Sequence, residues 1–122
     1  MTDAIDRNTT LVAGATHTDR GTVVQGNQPG DTSVVVDIDA LAVGDRALIS
    51  LQVTINSGAS LTQLQNQALA SFVNGESNPN GQTSVVSDDP DTTAPLDATI
   101  TPLNVPLATK KLFLPVIQRP QG

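Results

Sequence analysis

Apolar and polar side chains alternate along several short segments of this chain. The alternation is clearest at residues 47–56, where four apolar residues share one face: Ile49, Leu51, Val53 and Ile55. A period of two is typical of a β-strand that buries one face. Residues 34–39 alternate in the same way, and the Val-Gly-Asp at 43–45 is a turn-forming sequence. The pattern therefore predicts two strands joined as an antiparallel hairpin.

Other segments have weaker patterns. Short β-like runs cover residues 11–18, 22–25, 83–87 and 98–103, and stretches rich in Gly, Asn, Asp and Pro separate them. The apolar positions between 61 and 73 have the spacing of one helix face, but the same residues also permit a strand. Beyond Pro102 the prolines interrupt the pattern, so we expect an extended backbone at best.

The composition favours strands throughout the chain. Val, Ile and Thr make 34 of the 122 residues, and Phe72 and Phe113 are the only aromatic residues. Branching at Cβ suits a pleated sheet and crowds a helix. A chain of this length has room for one compact core. We predict an all-β domain at residues 1–103, followed by a Pro-rich C-terminal tail at 104–122.

Charge and cysteine content remove several classes of function. Eleven Asp and one Glu oppose six basic residues, which gives a net charge of −6. Such a chain lacks the basic surface that binds nucleic acid or anionic lipid. Without Cys there are no disulfides, thiolate zinc sites or Cys nucleophiles. No apolar run approaches the roughly 20 residues of a membrane span, and the first residues lack the features of a signal peptide.

Three motifs together resemble a known family. They are DRNTTLVAG at residues 6–14, GDTSVVVDI at 30–38 and SDDPDT at 87–92. They look like the bacterial surface repeat called domain of unknown function number eleven. The segment NQALASF at 66–72 is similar to that family's last long strand, so the resemblance favours a strand over a helix there.

The resemblance implies an immunoglobulin-like antiparallel β-sandwich, repeated in exported bacterial surface proteins as spacer or adhesion modules. The implied location is extracellular or at the cell surface. Complete units of the family begin with two more strands, so the sandwich is expected to be incomplete and to expose a sheet edge. A neighbouring repeat, another protein or a second copy could add a strand at such an edge, which allows a homodimer.

The C-terminal segment offers two alternatives. Residues 110–119, KKLFLPVIQR, resemble the short tail of some exported bacterial proteins, in which a basic flank surrounds an apolar Leu-Pro centre. That resemblance implies docking or sorting. A final strand or a disordered end is the simpler interpretation.

The densest group of carboxylates is Asp88, Asp89 and Asp91. Oxygen ligands on a loop are what Ca²⁺ takes, so these three residues are the candidate metal ligands. Their spacing differs from that of an EF-hand, however, and Asp-Pro and Asp-Thr also form ordinary turns. The turn interpretation is favoured, and no other cofactor is predicted.

No catalytic group is predicted. Asp37 and Asp39 should face solvent on a strand, and His17 has no nucleophile-presenting motif beside it. A crosslink from Lys110 or Lys111 to an Asn or Asp would need a buried lysine, which a Pro-rich tail does not favour. The leading hypothesis is a non-enzymatic structural or adhesion spacer. The alternatives are a calcium-stabilised extracellular binding module and, with least support, a hydrolase.

Overall fold

The computed structural model describes residues 1–59, 61–73 and 82–103, together with the backbone of residues 109–113 and 117–118. No helix occurs in these residues, and every strand pair is antiparallel. The all-β prediction is therefore confirmed. Within the same residues, no helix is long and apolar enough to cross a membrane.

The strands are numbered in chain order. They are β1 (Thr2–Ala4), β2 (Thr9–Leu11), β3 (His17–Thr18), β4 (Thr22–Gln25), β5 (Ser33–Asp37), β6 (Arg46–Ala47), β7 (Ile49–Ile55), β8 (Gln63–Asn66), β9 (Ala68–Val73), β10 (Gln82–Val86), β11 (Thr99–Pro102), β12 (Thr109–Phe113) and β13 (Ile117–Gln118).

Two larger sheets organise the fold. The first has five strands in the order β10-β9-β1-β5-β4. In the second, β7 lies between β12 on one side and β2 and β3 on the other. Two short pairs, β8 with β11 and β6 with β13, complete the described architecture.

The core lies where the alternating faces of the two sheets meet. Val34 and Val36 from the first sheet belong to one buried apolar cluster with three residues of β7: Ile49, Leu51 and Val53. The other buried members of that cluster come from flanking strands: Leu11, Ala47 and Ala68. The cluster contains small and branched residues only, which matches the β-branched composition of the chain. This arrangement is an antiparallel β-sandwich.

The predicted hairpin between residues 34–39 and 47–56 is wrong. β5 pairs with β1 and β4, whereas β7 pairs with strands of the other sheet. Both segments bury an apolar face, and the connection between them crosses from one layer to the other. Alternation identified the buried faces correctly but does not say whether two such faces pair edge to edge or pack face to face.

Within residues 61–73, Gln63–Asn66 and Ala68–Val73 form strands, which confirms the interpretation that the family resemblance favoured. The run is divided at Gln67, because β8 pairs with β11 while β9 pairs with β1 and β10. The segment therefore changes sheets at one residue. Among the described residues, four further paired strands, β10 to β13, follow it in the chain.

The opening segment itself supplies a strand. β1 lies between β5 and β9, so it occupies the middle of the five-stranded sheet. The Met1 ammonium donates a hydrogen bond to the Val36 carbonyl oxygen at 2.8 Å. Burial lowers the pKa of that ammonium, and the Asp37 carboxylate partly opposes the shift. The predicted exposed edge therefore does not lie beside this segment.

The C-terminal segment contains two stretches of extended backbone, as predicted. β12 runs along β7 from Thr54 to Ser50, and β13 pairs with β6. The side chains of Lys110 and Lys111 lie outside the described residues, so the docking, sorting and crosslink interpretations of the tail stay predictions.

Gly21 fixes the turn that leads into β4. Its φ is +76°, a conformation that favours glycine. A Cβ atom at this position would lie 1.9 Å from the carbonyl oxygen of Asp37. The first residue of β4 pairs with Asp37, so the close approach belongs to the β4–β5 ladder itself. Only glycine fits this position without moving the backbone.

Candidate functional site

The predicted calcium ligands lie in the loop between β10 and β11. Asp89 is buried, whereas Asp88 and Asp91 are exposed. The Asp89 carboxylate accepts hydrogen bonds from two backbone N–H groups, that of Asp91 at 3.0 Å and that of Ile100 at 3.3 Å. One carboxylate therefore ties the start of the loop to the strand that follows it.

Asp97 completes the same loop. Its carboxylate accepts hydrogen bonds from the Thr92 hydroxyl at 2.7 Å and from the Asp89 backbone N–H at 3.3 Å. The Thr92 hydroxyl is the main cause that lowers the pKa of Asp97. The Asp97 backbone N–H in turn donates to the Asp88 carboxylate at 3.2 Å. These are the contacts of an Asp-rich turn, in which short carboxylates replace missing backbone partners.

The structure brings Asp88, Asp89 and Asp91 into one loop, but their carboxylates do not converge on a common point. Within the described residues, no group of three His, Cys, Asp or Glu side chains is arranged to hold a metal ion. Both Asp89 oxygens already accept backbone donors. The geometry favours the turn interpretation of this loop.

Calcium should therefore leave the thermal stability of the chain unchanged. Occupation of the loop would require Asp89 to exchange its backbone hydrogen bonds for the ion, which removes the contacts that hold the loop. The measurement is the melting temperature in millimolar CaCl₂, compared with the same buffer containing chelator. Asp89→Asn serves as the control variant. A rise in melting temperature that chelator reverses would instead support the calcium-stabilised module, because ligand binding to the folded state is stabilising.

The other acidic and basic candidates are exposed. Asp37 and Asp39 face solvent at the end of β5, as predicted, and the Asp39 backbone N–H donates to the Asp37 carboxylate at 3.2 Å. His17 is an exposed residue of β3. It lies opposite Ser50 in the β3–β7 ladder.

A buried carboxylate was missed by the sequence analysis. Asp3, on the central strand β1, has no exposed surface, and its Oδ2 accepts a hydrogen bond from the Asn66 amide at 2.8 Å. Its Oδ1 has no hydrogen-bond partner. Burial raises the pKa of Asp3, and the Asn66 hydrogen bond only partly opposes that shift.

A second buried oxygen without a hydrogen-bond partner lies in the β8–β11 strand pair, which contains Asn66. It is the Thr99 hydroxyl, and Thr99 pairs directly with Asn66 across β8 and β11. Asn66 therefore links the buried carboxylate of one sheet to a strand pair beside it. Residues 2–4 carry no alternating apolar pattern, so nothing in the sequence indicated that Asp3 faces the core.

The two edges of the five-stranded sheet differ. At one edge, the pairing of β4 with β5 is irregular between Val23 and Gln25, where the register shifts. Val24 lies at this bulge and is 65% exposed. Bulges of this kind prevent the addition of another strand at an edge.

At the other edge, β10 pairs with β9 through five consecutive residues without a register shift. The strand sequence, Gln-Thr-Ser-Val-Val, contains no charge and no proline. In the described part of the chain, β9 is its only partner. Among the described residues, β10 therefore has no charge, proline or bulge of the kind that protects an edge strand.

The comparisons with known proteins gave no match: no family model, no curated protein and no solved structure is detectably similar to this chain.

Proposed function

We propose that this chain is a non-catalytic structural or adhesion module, one immunoglobulin-like unit of a bacterial cell-surface protein that acts outside the cell. The antiparallel sandwich, its β-branched core and the surface-repeat motifs at 6–14, 30–38 and 87–92 support this proposal. Such a module acts through backbone edges and loops, and the acidic loop here uses its carboxylates to hold its own shape.

One observation carries the proposal: the edge strand β10 is regular and uncharged, while the opposite edge, β4, is bulged. An edge without charge, proline or bulge is a template for strand addition. Leu69 and Val73, on the outward face of the neighbouring strand, are also exposed apolar residues. A strand added to β10 would extend this apolar surface. We therefore assign the binding role to β10.

The backbone groups that a partner strand would meet follow from the pairing of β9 and β10. The Ser87 N–H donates to the Ala68 carbonyl at 2.8 Å, and the Ala68 N–H donates to the Ser87 hydroxyl at 3.0 Å, so the backbone groups of these two residues point toward each other. Hydrogen-bonded and non-hydrogen-bonded pairs alternate along an antiparallel ladder. Thr83 and Val85 therefore point their backbone groups toward β9. The backbone N–H and C=O groups of Gln82, Ser84 and Val86 point away from it.

A strand-forming peptide tests the edge directly. We expect a short labelled peptide of alternating Thr and Val to bind the chain, with binding followed by fluorescence anisotropy. Ser84→Pro should abolish binding, because it removes an outward N–H but no backbone hydrogen bond between β9 and β10. The hydroxyl contact of Ser84 with Ser71 of β9, at 3.1 Å, is also lost, and Ser84→Ala, which loses only that contact, should still bind. Val24→Pro, at the bulged edge, is the matched control and should bind like the unaltered chain. Absence of binding to the unaltered chain, or equal loss in both variants, would contradict the proposed role of β10.

A further inference from the structure

We infer that β10 pairs with β10 of a second copy of this chain, so that two sandwiches join through one continuous antiparallel sheet. This inference rests on the proposed function, because it names the partner of the same edge. A twofold axis beside Ser84 would place Ser84 opposite Ser84 of the second copy. Gln82 would then face Val86, and Thr83 would face Val85.

The strand is self-complementary in this register. Its outward backbone groups belong to Gln82, Ser84 and Val86, and the twofold axis places each of these opposite another residue of the same set. Ser84 would exchange both backbone hydrogen bonds with its own copy, and Gln82 would do the same with Val86. Every backbone N–H and C=O group that points away from β9 therefore has a hydrogen-bond partner in the second copy.

The side chains also suit self-pairing. Thr83 and Val85 would meet in the closer, non-hydrogen-bonded type of pair, and both are branched at Cβ, which is favourable across strands. β9 and β10 carry no charged residue, so a second copy places no like charges opposite one another. The net charge of −6 therefore repels the second copy only at longer range.

The expected dimer is weak and salt-dependent. One five-residue strand from each copy makes an interface below the roughly 1,200 Å² that stable complexes bury. Added salt screens the repulsion between the two acidic molecules and should strengthen the dimer. The weak affinity gives a mass that depends on protein concentration, and the screening gives a mass that rises with salt.

The experiment is sedimentation or light scattering of the full chain over a wide range of concentrations. The mass should rise from the 12.6 kDa of one chain toward twice that value. Ser84→Pro should weaken dimerisation by about tenfold or more, because both hydrogen bonds of the Ser84 pair are lost. Ser84→Ala keeps the outward N–H and should dimerise like the unaltered chain. If Ser84→Pro fails to fold by circular dichroism, Ser84→Lys, which places like charges on the twofold axis, replaces it.

The outcomes separate this inference from the proposed function. A chain that stays monomeric but binds the Thr-Val peptide would overturn self-pairing and leave the binding role of β10 intact. A chain that is monomeric and binds no peptide would overturn both. A dimer that survives Ser84→Pro and Ser84→Lys would place the interface elsewhere and also overturn the inference.

Discussion

Gly21→Ala is expected to destabilise the fold by about 3 kcal/mol, which is the largest change in stability predicted for any of the substitutions discussed. Two costs add. A non-glycine residue at φ +76° costs about 1 kcal/mol, and the added Cβ would lie 1.9 Å from the Asp37 carbonyl oxygen. The second cost is larger, since the atom it meets is backbone and belongs to the β4–β5 ladder. Denaturant unfolding followed by circular dichroism measures the change.

Gly14 provides a matched control for that experiment. Its φ is also +76°, but nothing lies within 4 Å of the position a Cβ would take. Gly14→Ala should therefore cost only the conformational part, about 1 kcal/mol. The difference between the two variants isolates the clash with the Asp37 carbonyl. Equal losses in both would mean that β4 can move away from β5 at little cost, and the turn before β4 would not be rigid.

Asp3→Asn is expected to stabilise the chain at neutral pH by about 1–2 kcal/mol. The asparagine has the same shape, and its carbonyl oxygen can accept the Asn66 amide in place of Oδ2. It also removes a charge from a fully buried position, where one carboxylate oxygen has no partner. Burying a charge without a counter-charge is more costly than burying a neutral amide.

The stability gained by Asp3→Asn should increase as the pH rises from acid to neutral. The pKa of Asp3 in the fold lies above its ordinary value, so the folded chain holds the proton to a higher pH than the unfolded chain does. Stability from this group is fully present below the unfolded pKa and is lost as pH rises through the folded pKa. Asp3→Asn should therefore differ little from the unaltered chain in acid and exceed it in stability at neutral pH.

Asp37→Asn is the control for the loss of one negative charge. Asp37 is exposed on the neighbouring strand β5, and its side chain accepts only the Asp39 backbone N–H among the described contacts. Asp37→Asn should change stability by less than about 0.5 kcal/mol at neutral pH, because Asp37 is exposed and solvent screens its attraction to the Met1 ammonium. If Asp3→Asn lowers stability at neutral pH, the buried carboxylate must be compensated by a contact beyond Asn66, and our account of its pKa would be wrong.

The sequence predicted strands better than it predicted sheets. The alternation at residues 47–56 placed the buried face of β7 correctly, because a two-residue period reports burial directly. It assigned that strand to the wrong partner, because β5 has an equally clear buried face and lies in the opposite layer. The division at Gln67 was also missed, since a change of sheet within one run leaves the apolar pattern almost continuous.

Among the candidate sites, the one made of residues adjacent in the sequence was predicted, whereas those that only the fold brings together were not. The Asp-rich loop was visible in the sequence because its residues are adjacent, and the turn interpretation agrees with the hydrogen bonds observed there. Asp3 was not visible, because its partner Asn66 is 63 residues away along the chain and only the fold brings them together. The edge position of β10 among the described strands depends on how the strands are ordered in the sheet, which no local sequence pattern reports.

The central position of β1 also constrains the order in which the sheet can assemble. Thr2 pairs with Val35 on one side and with Leu69 on the other. During synthesis, β1 therefore stays unpaired until β5 has emerged. Its pairing with β9 can form only much later, after β9 has emerged. Contacts between residues so far apart in the sequence form slowly, because closing the long loop between them costs chain entropy before the contact is made. Folding of this chain should be slow and should finish at the middle of its five-stranded sheet.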